Sequence, residues 1–185
     1  MSRGVWKTPL GQVAIDSQLA DDLKLRFPQL REDSEAHRSE HAIEVELPFM
    51  QVLNRQCTLV PIAVGTAQFE VLEGLGWAIG EALRDQAEPV LIVASSDMNH
   101  YESDSVTRAK DHKAIERILA LDAKGLYDTV LREDISMCGF GPAVAMLTAA
   151  RTLGAKSADL VKYATSGDVS GDRETVVGYA GIVVS

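Results

Sequence analysis

Residues 89–103, PVLIVASSDMNHYES, constrain the chain more than any other stretch. Val90, Leu91, Ile92, Val93 and Ala94 form an unbroken apolar run, partly β-branched and opened by a proline. Such a run fits a strand buried on both faces, at the centre of a parallel or mixed sheet. It stops at Ser95-Ser96-Asp97-Met98-Asn99-His100-Tyr101, where nearly every side chain donates, accepts or carries a proton. Open α/β sheets collect ligands at the carboxyl ends of their central strands. Asp97 and His100, three residues apart at that edge, read as a general acid/base pair with Ser96 in the same pocket. The competing reading is a turn in which Ser, Asp and Asn only cap the next helix. It leaves His100 and Tyr101 without a task.

The flanking sequence supplies elements for such a sheet. Ser2–Gly11 reads as a loop and Gln12–Ile15 as a short strand. Asp16 caps a helix reaching Phe27, with Leu19, Leu23 and Leu25 among its apolar positions and Pro28 as its stop. Residues 43–50 satisfy both periodicities and are read as part of a helix ending near Gln56, with Pro48 in its first turn. Thr58–Val64 reads as a second buried strand, and Phe69–Ala87 as an amphipathic helix. Gly74, Gly76 and Gly80 lie inside that helix and miss the G-x-G-x-x-G spacing by one, so they are not a dinucleotide fingerprint. Helices follow from about Ser103 to Leu119 and over Leu121–Arg132. Ala143–Arg151 is apolar on nearly every side, with Pro142 at its start and Gly154 at its end. Two strands, Asp159–Thr165 and Thr175–Val184, flank a turn-rich loop over Ser166–Arg173. This order predicts an α/β layered sandwich, with a mixed, mostly buried sheet flanked by helices.

A length of 185 residues fits one domain with a sizeable core. No apolar run approaches the roughly 18 residues that a membrane helix needs. Met1–Gly11 lacks an apolar stretch of the kind that heads a signal peptide. With two cysteines, Cys57 and Cys138, and no disulfide framework, these features place the protein in the cytoplasm. The excess of 27 acidic over 18 basic residues argues against a nucleic-acid partner.

Other constellations offer chemistry of their own. His41, flanked by Glu40 and Glu44, is either an imidazole whose tautomer the carboxylates fix or a solvated helix start. His37 and His41 have the spacing of two metal ligands on one helical turn, but Arg38 stands where a metalloprotease needs glutamate. Cys138, before Gly139-Phe140-Gly141-Pro142, is either an activated thiolate at a helix start or an inert buried thiol. Asp168 and Asp172 could hold a divalent cation in their Gly/Ser loop. Gly167-Asp168-Val169-Ser170-Gly171 sets its serine one step late for a nucleophile elbow.

Four ordered stretches together resemble the Memo-like family, also called AmmeMemoRadiSam system protein B. They are Glu40–Phe49 (EHAIEVELPF), Ser95–Tyr101 (SSDMNHY), Cys138–Pro142 (CGFGP) and Tyr163–Tyr179 (YATSGDVSGDRETVVGY). The likeness covers essentially the whole chain. It implies a fold similar to the class III extradiol dioxygenases and a pocket corresponding to their non-haem iron site. By the same resemblance Cys138 takes the place of a metal-ligating cysteine, with Fe(II) or copper as the metal. His100 takes that of the acid/base histidine with Asp97 beside it, and His41 lies near the pocket with Glu40 and Glu44. The implied partners are a radical-SAM protein and AmmeMemoRadiSam system protein A.

The family's two remaining metal-ligating histidines belong to an N-terminal segment with H-x-G-Y and G-P-x-H motifs. All four histidines here (37, 41, 100 and 112) fall after that point, so the expectation is a single Memo-like domain, residues 1–185, lacking its N-terminal portion. Two protein ligands fall short of the three expected of a catalytic metal. A second copy covering an open sheet edge is the oligomer this predicts. The leading expectation is a protein with a metal-dependent redox or dioxygenase-type site. The alternatives are a non-catalytic scaffold binding a peptide or anionic partner in that pocket, and a hydrolase using Cys138 as nucleophile with His100.

Overall fold

The computed structural model describes residues 1–185, which form two units, Met1–Gly65 and Thr66–Ser185. In the first unit, Val5–Thr8 (β1) pairs antiparallel with Gly11–Ile15 (β2), Thr8 opposite Gly11. Gly11 takes φ 130°, a conformation that favours glycine, to close this hairpin. The segment expected to be a loop is therefore a strand. Its side chains alternate between exposed and half-buried rather than apolar and polar, which hid it from a periodicity test.

Asp16 ends β2 and caps Ser17–Arg26 (α1), its Oδ1 accepting the Gln18 and Leu19 amides at 3.1 and 3.0 Å. Leu19 and Leu23 are buried as expected, whereas Leu25 points to solvent. Leu47–Leu53 (α2) carries Pro48 in its first turn. Residues 42–46 form turns, so this helix is shorter than expected at both ends. Only Thr58–Leu59 (β3) of the expected second strand joins a ladder, parallel to β2 through Ala14↔Thr58 and Ile15↔Leu59.

The second unit opens with Phe69–Arg84 (α3). After His100–Glu102 (β4) come Asp104–Leu119 (α4), Ala123–Arg132 (α5) and Phe140–Thr152 (α6). Ala158–Thr165 (β5), a single helical turn Gly167–Ser170 (α7) and Val176–Val184 (β6) complete it. The sheet order is β4-β6-β5, all antiparallel. α4 packs on β5 and β6, while α3 and α5 pack on α6. The small, apolar sequence of α6 explains its central place, with Ala143, Val144, Ala145, Leu147 and Ala149 all buried. Gly154, at φ 94°, ends it as expected.

The expectation of a buried central strand at 90–94 is overturned here. Val90–Ala94 belongs to no strand, and Leu91 is 74% exposed, with Val90 and Val93 near half. An apolar run becomes a buried strand only when neighbours accept its backbone hydrogen bonds. The sheet of this unit consists of β4, β6 and β5, and residues 90–94 pair with none of them. The fold is thus α/β with two small sheets flanked by helices, and half of the residues of β5 are exposed. No helix is long and apolar enough to cross a membrane.

Candidate metal centre

Two of the polar residues that end the Pro89–Ser103 stretch lie beside Cys138. Asp97, His100 and Cys138 bring one carboxylate oxygen, one imidazole nitrogen and one sulfur within 4.8 Å of one another. Two segments build the cluster, the turn entering β4 and the turn entering α6. Both are tied to their surroundings by backbone.

The turn before α6 is pinned by small residues. The Gly139 amide donates to Ser96 Oγ at 2.8 Å, and the Asp97 amide donates to Cys138 Sγ at 3.2 Å. Ser96 Oγ lies 3.8 Å from the same sulfur. A Cβ on residue 139 would fall 2.5 Å from Ser96 Cβ and also press on the Ser95 carbonyl, so only glycine lets the two turns approach. Cys138 itself is exposed, which removes the inert buried thiol as an account of it.

The His100 ring is held by its other nitrogen. Nδ1 lies 2.6 Å from the Ser136 carbonyl, which can only accept, so Nδ1 carries the proton. In the neutral ring the Nε2 lone pair is then free, and Nε2 lies 3.5 Å from Asp97 Oδ2. The imidazole is thus held between the Ser136 carbonyl on one side and Asp97 on the other. Tyr101 follows at φ 61°, where the register shifts between His100↔Val177 and Glu102↔Val176. A bulge of this kind re-aims a side chain next to a site, and a non-glycine residue in this region is held there by its surroundings. Tyr101 also sets its ring 5.6 Å from that of His100. Burial, and then the negative charge of Asp97, push the Tyr179 phenol upward and keep it neutral.

Behind the cluster lies a buried network that no motif announced. Asn99, 1% exposed, accepts the Ser136 amide and hydroxyl on Oδ1, both at 3.1 Å. Its Nδ2 donates to Glu102 at 2.7 Å and to Thr107 at 3.3 Å, and its amide donates to Asp111 Oδ1 at 2.8 Å. Tyr163 Oη donates to the other Asp111 oxygen at 2.7 Å. Burial pushes the fully enclosed Asp111 carboxyl up, against the two donors that favour its charge. The presence of Asn99 in SSDMNHY was a signal, but nothing in the sequence linked Ser136 or Asp111 to it.

The other candidates each have surroundings of their own. His41 and Glu44, in the first unit, form an exposed pair with Nδ1 2.6 Å from Oε1, and Glu40 caps the turn by accepting the Ala42 amide. His37 is not on one helical turn with His41, since it ends a short 3-10 segment, Glu35–His37. It packs edge-on to Trp6 and leaves Nδ1 buried and unpartnered. The suggested cation loop is otherwise engaged. Asp168 binds Arg108, Arg173 and the Thr165 amide, and Asp172 accepts the Glu174 amide. His112 rests on Tyr163 and places Nδ1 2.7 Å from the Arg108 carbonyl.

The comparisons with known proteins agree with one another. A family model described as "Memo-like protein" matches residues 1–183. A MEMO1 family protein of Methanopyrus kandleri is 43% identical over 184 residues, covering 99% of this chain and 65% of that protein. One from Caldivirga maquilingensis is 44% identical over 182 residues, 98% of this chain and 64% of that protein. One from Methanosarcina mazei is 42% identical over 185 residues, 100% of this chain and 68% of that protein. The chain spans about two thirds of the length of these relatives.

Proposed function

From the premise that the chain belongs to the Memo-like family, we propose that Cys138, His100 and Asp97 hold one redox-active metal ion, iron or copper, for oxidoreductase chemistry. The observation that carries this reading is the meeting of three different donor atoms within 4.8 Å at an exposed edge. A tetrahedral ion with bonds of roughly 2.0–2.3 Å keeps its ligands roughly 3.3–3.8 Å apart, so small side-chain rotations close the set. A sulfur with an imidazole suits iron, copper or zinc far better than magnesium or calcium. Three protein ligands with an exposed face are also the arrangement of a catalytic site, because an open position remains for a substrate. When bound, the metal would supply electron transfer or Lewis acidity.

The chain's own groups have definite tasks in this reading. The Asp97 amide directs its N–H at the sulfur, and the Ser136 carbonyl accepts Nδ1–H and turns Nε2 toward the other donors. Asp97 serves in this reading as the third ligand beside Cys138 and His100.

The alternative, a non-catalytic module that binds a peptide or anion at this edge, draws support from the exposed Val90, Leu91 and Val93 leading into it. Anaerobic titration of the chain with Fe(II), Cu(I) and Zn(II) separates the two. The expected result is about one ion per chain with a raised melting temperature, both lost in Cys138→Ala. A folded chain that binds none of the three ions would exclude the metal reading and favour the module.

A further inference from the structure

We propose that Asn99 and Ser136 are positioning residues, a buried relay that locks His100 as the Nδ1–H tautomer and so aims its Nε2 lone pair at Cys138 and Asp97. The relay begins in the core. Tyr163 and the Asn99 amide hold the two oxygens of Asp111, and Gly178 lets that carboxylate lie against β6. Asn99 is fixed in turn, since its amide donates to Asp111 and its carbonyl accepts the Gly178 amide at 2.9 Å. With its main chain held at both ends, the Asn99 side chain has one orientation. Nδ2 faces Glu102 and Thr107, and Oδ1 faces Ser136.

Ser136 then links Asn99 to His100 through three of its atoms. Its amide and hydroxyl both donate to Asn99 Oδ1, its hydroxyl oxygen accepts the His100 amide at 2.7 Å, and its carbonyl accepts Nδ1–H. Every donor and acceptor of the Asn99 side chain is used, an arrangement that specifies one geometry. A residue needed only to fill space at this 1%-exposed position would have no reason to be polar. Ser136 is itself exposed, so packing does not explain its bonds. Groups that bond to a ligating histidine and fix its tautomer change metal affinity about 10- to 100-fold.

The tautomer claim stands without a metal, and its consequence for affinity rests on the metal reading above. The test uses the full chain with 15N-labelled histidine, His100→Gln assigning the resonance, and Co(II) as the metal probe. Long-range 1H–15N spectra of the metal-free protein are expected to show an Nδ1-protonated His100. Asn99→Leu and Ser136→Ala should each populate the other tautomer, with Co(II) affinity falling about 10- to 100-fold for Asn99→Leu and less for Ser136→Ala. Ser136→Thr, which keeps the hydroxyl, should restore both signals. If Asn99→Leu does not fold, the Ser136 pair carries the test at an exposed position. An Nε2-protonated His100 in the parent chain, or wild-type tautomer and affinity in folded Asn99→Leu and in Ser136→Ala, would overturn the proposal. Tautomer changes in a parent chain that binds no Co(II) would support the relay while removing the metal reading.

Discussion

Gly139 is the residue on which the two halves of the cluster meet. Its φ of −104° is open to alanine, so the constraint is space and not backbone strain. Gly139→Ala would push Ser96 and the Ser95 carbonyl away from the Cys138 turn. Overpacking of this kind costs about 1–3 kcal/mol. Urea unfolding should show that loss, and metal titration should show weaker binding from the displaced sulfur. Wild-type stability in this variant would mean that the turns separate freely. Gly178→Ala should be worse, because its Cβ would fall on the Asp111 carboxylate, which Asn99 and Tyr163 hold in place. At this scale the sequence disclosed chemistry but not partnership. Asp97, His100 and Cys138 were legible as reactive types near apolar runs, and the CGFGP and SSDMNHY stretches were legible as a pair through family resemblance. The hydrogen bonds that assign their roles were not. Ser136 acts through a hydroxyl and a carbonyl that no motif marks, and Asp111 stands in a run of charged residues on α4.

Among the elements, the helices were legible because their signals are local. Asp16 and Pro28 bracket α1, and Leu72 and Leu75 mark the buried side of α3. The strands were less so, because a strand is a relation between segments. Val90–Ala94 has the composition of a central strand and lacks a ladder, whereas β1 has a ladder and lacks the composition. The glycines dismissed as a nucleotide motif prove to be a packing device. α3 approaches α6 so closely that a Cβ on Gly76 would lie 2.5 Å from the Ala145 carbonyl and 2.5 Å from Thr148 Cβ, and one on Gly80 2.7 Å from Thr152 Cβ. Alanine in a helix gains about 1 kcal/mol over glycine. Overpacking of about 1–3 kcal/mol outweighs that gain here. Gly76→Ala is therefore expected to lower stability although it raises intrinsic helicity. Adding Thr148→Ala should not rescue it, because the clashing Cβ and carbonyl both remain. Thermal unfolding of the single and double variants checks this, and full recovery in the double variant would sink the argument.

Taken as a whole, the molecule distributes its ionisable groups so that acid weakens both units. In the second unit, hydrogen bonds from Arg108 and then Thr165 hold Asp104 well below the usual carboxylate range, and the Thr165 amide and Arg108 lower Asp168. Lys110 lowers Glu102, and Lys113 lowers Glu133. In the first unit, hydrogen bonds from Ser2 and then Lys24 bring Glu32 down to about 2, while Arg3 and then Lys24 lower Asp21. Each of these carboxylates is lower in the folded chain than in the unfolded one. Their contribution is therefore present above the unfolded values of about 4 and is lost as pH falls through the folded ones. Asp111 has the opposite sign. Its raised value favours the folded state at low pH and opposes it as pH rises, so it offsets part of the loss. His37 extends the effect toward neutrality. Burial lowers its affinity for a proton, so the unfolded chain binds that proton first and stability begins to fall below about pH 6.5. The expected profile has two limbs, a shallow loss from about pH 6.5 and a steeper one from about pH 4 toward 2. Melting temperature measured across pH 2–8 checks it. His37→Gln should flatten the upper limb alone, and Asp104→Asn should lower stability at pH 7 while reducing the slope of the lower limb. A parent profile level from pH 7 to pH 3 would mean that these pairs persist with equal strength in the unfolded chain, and the attribution would be withdrawn.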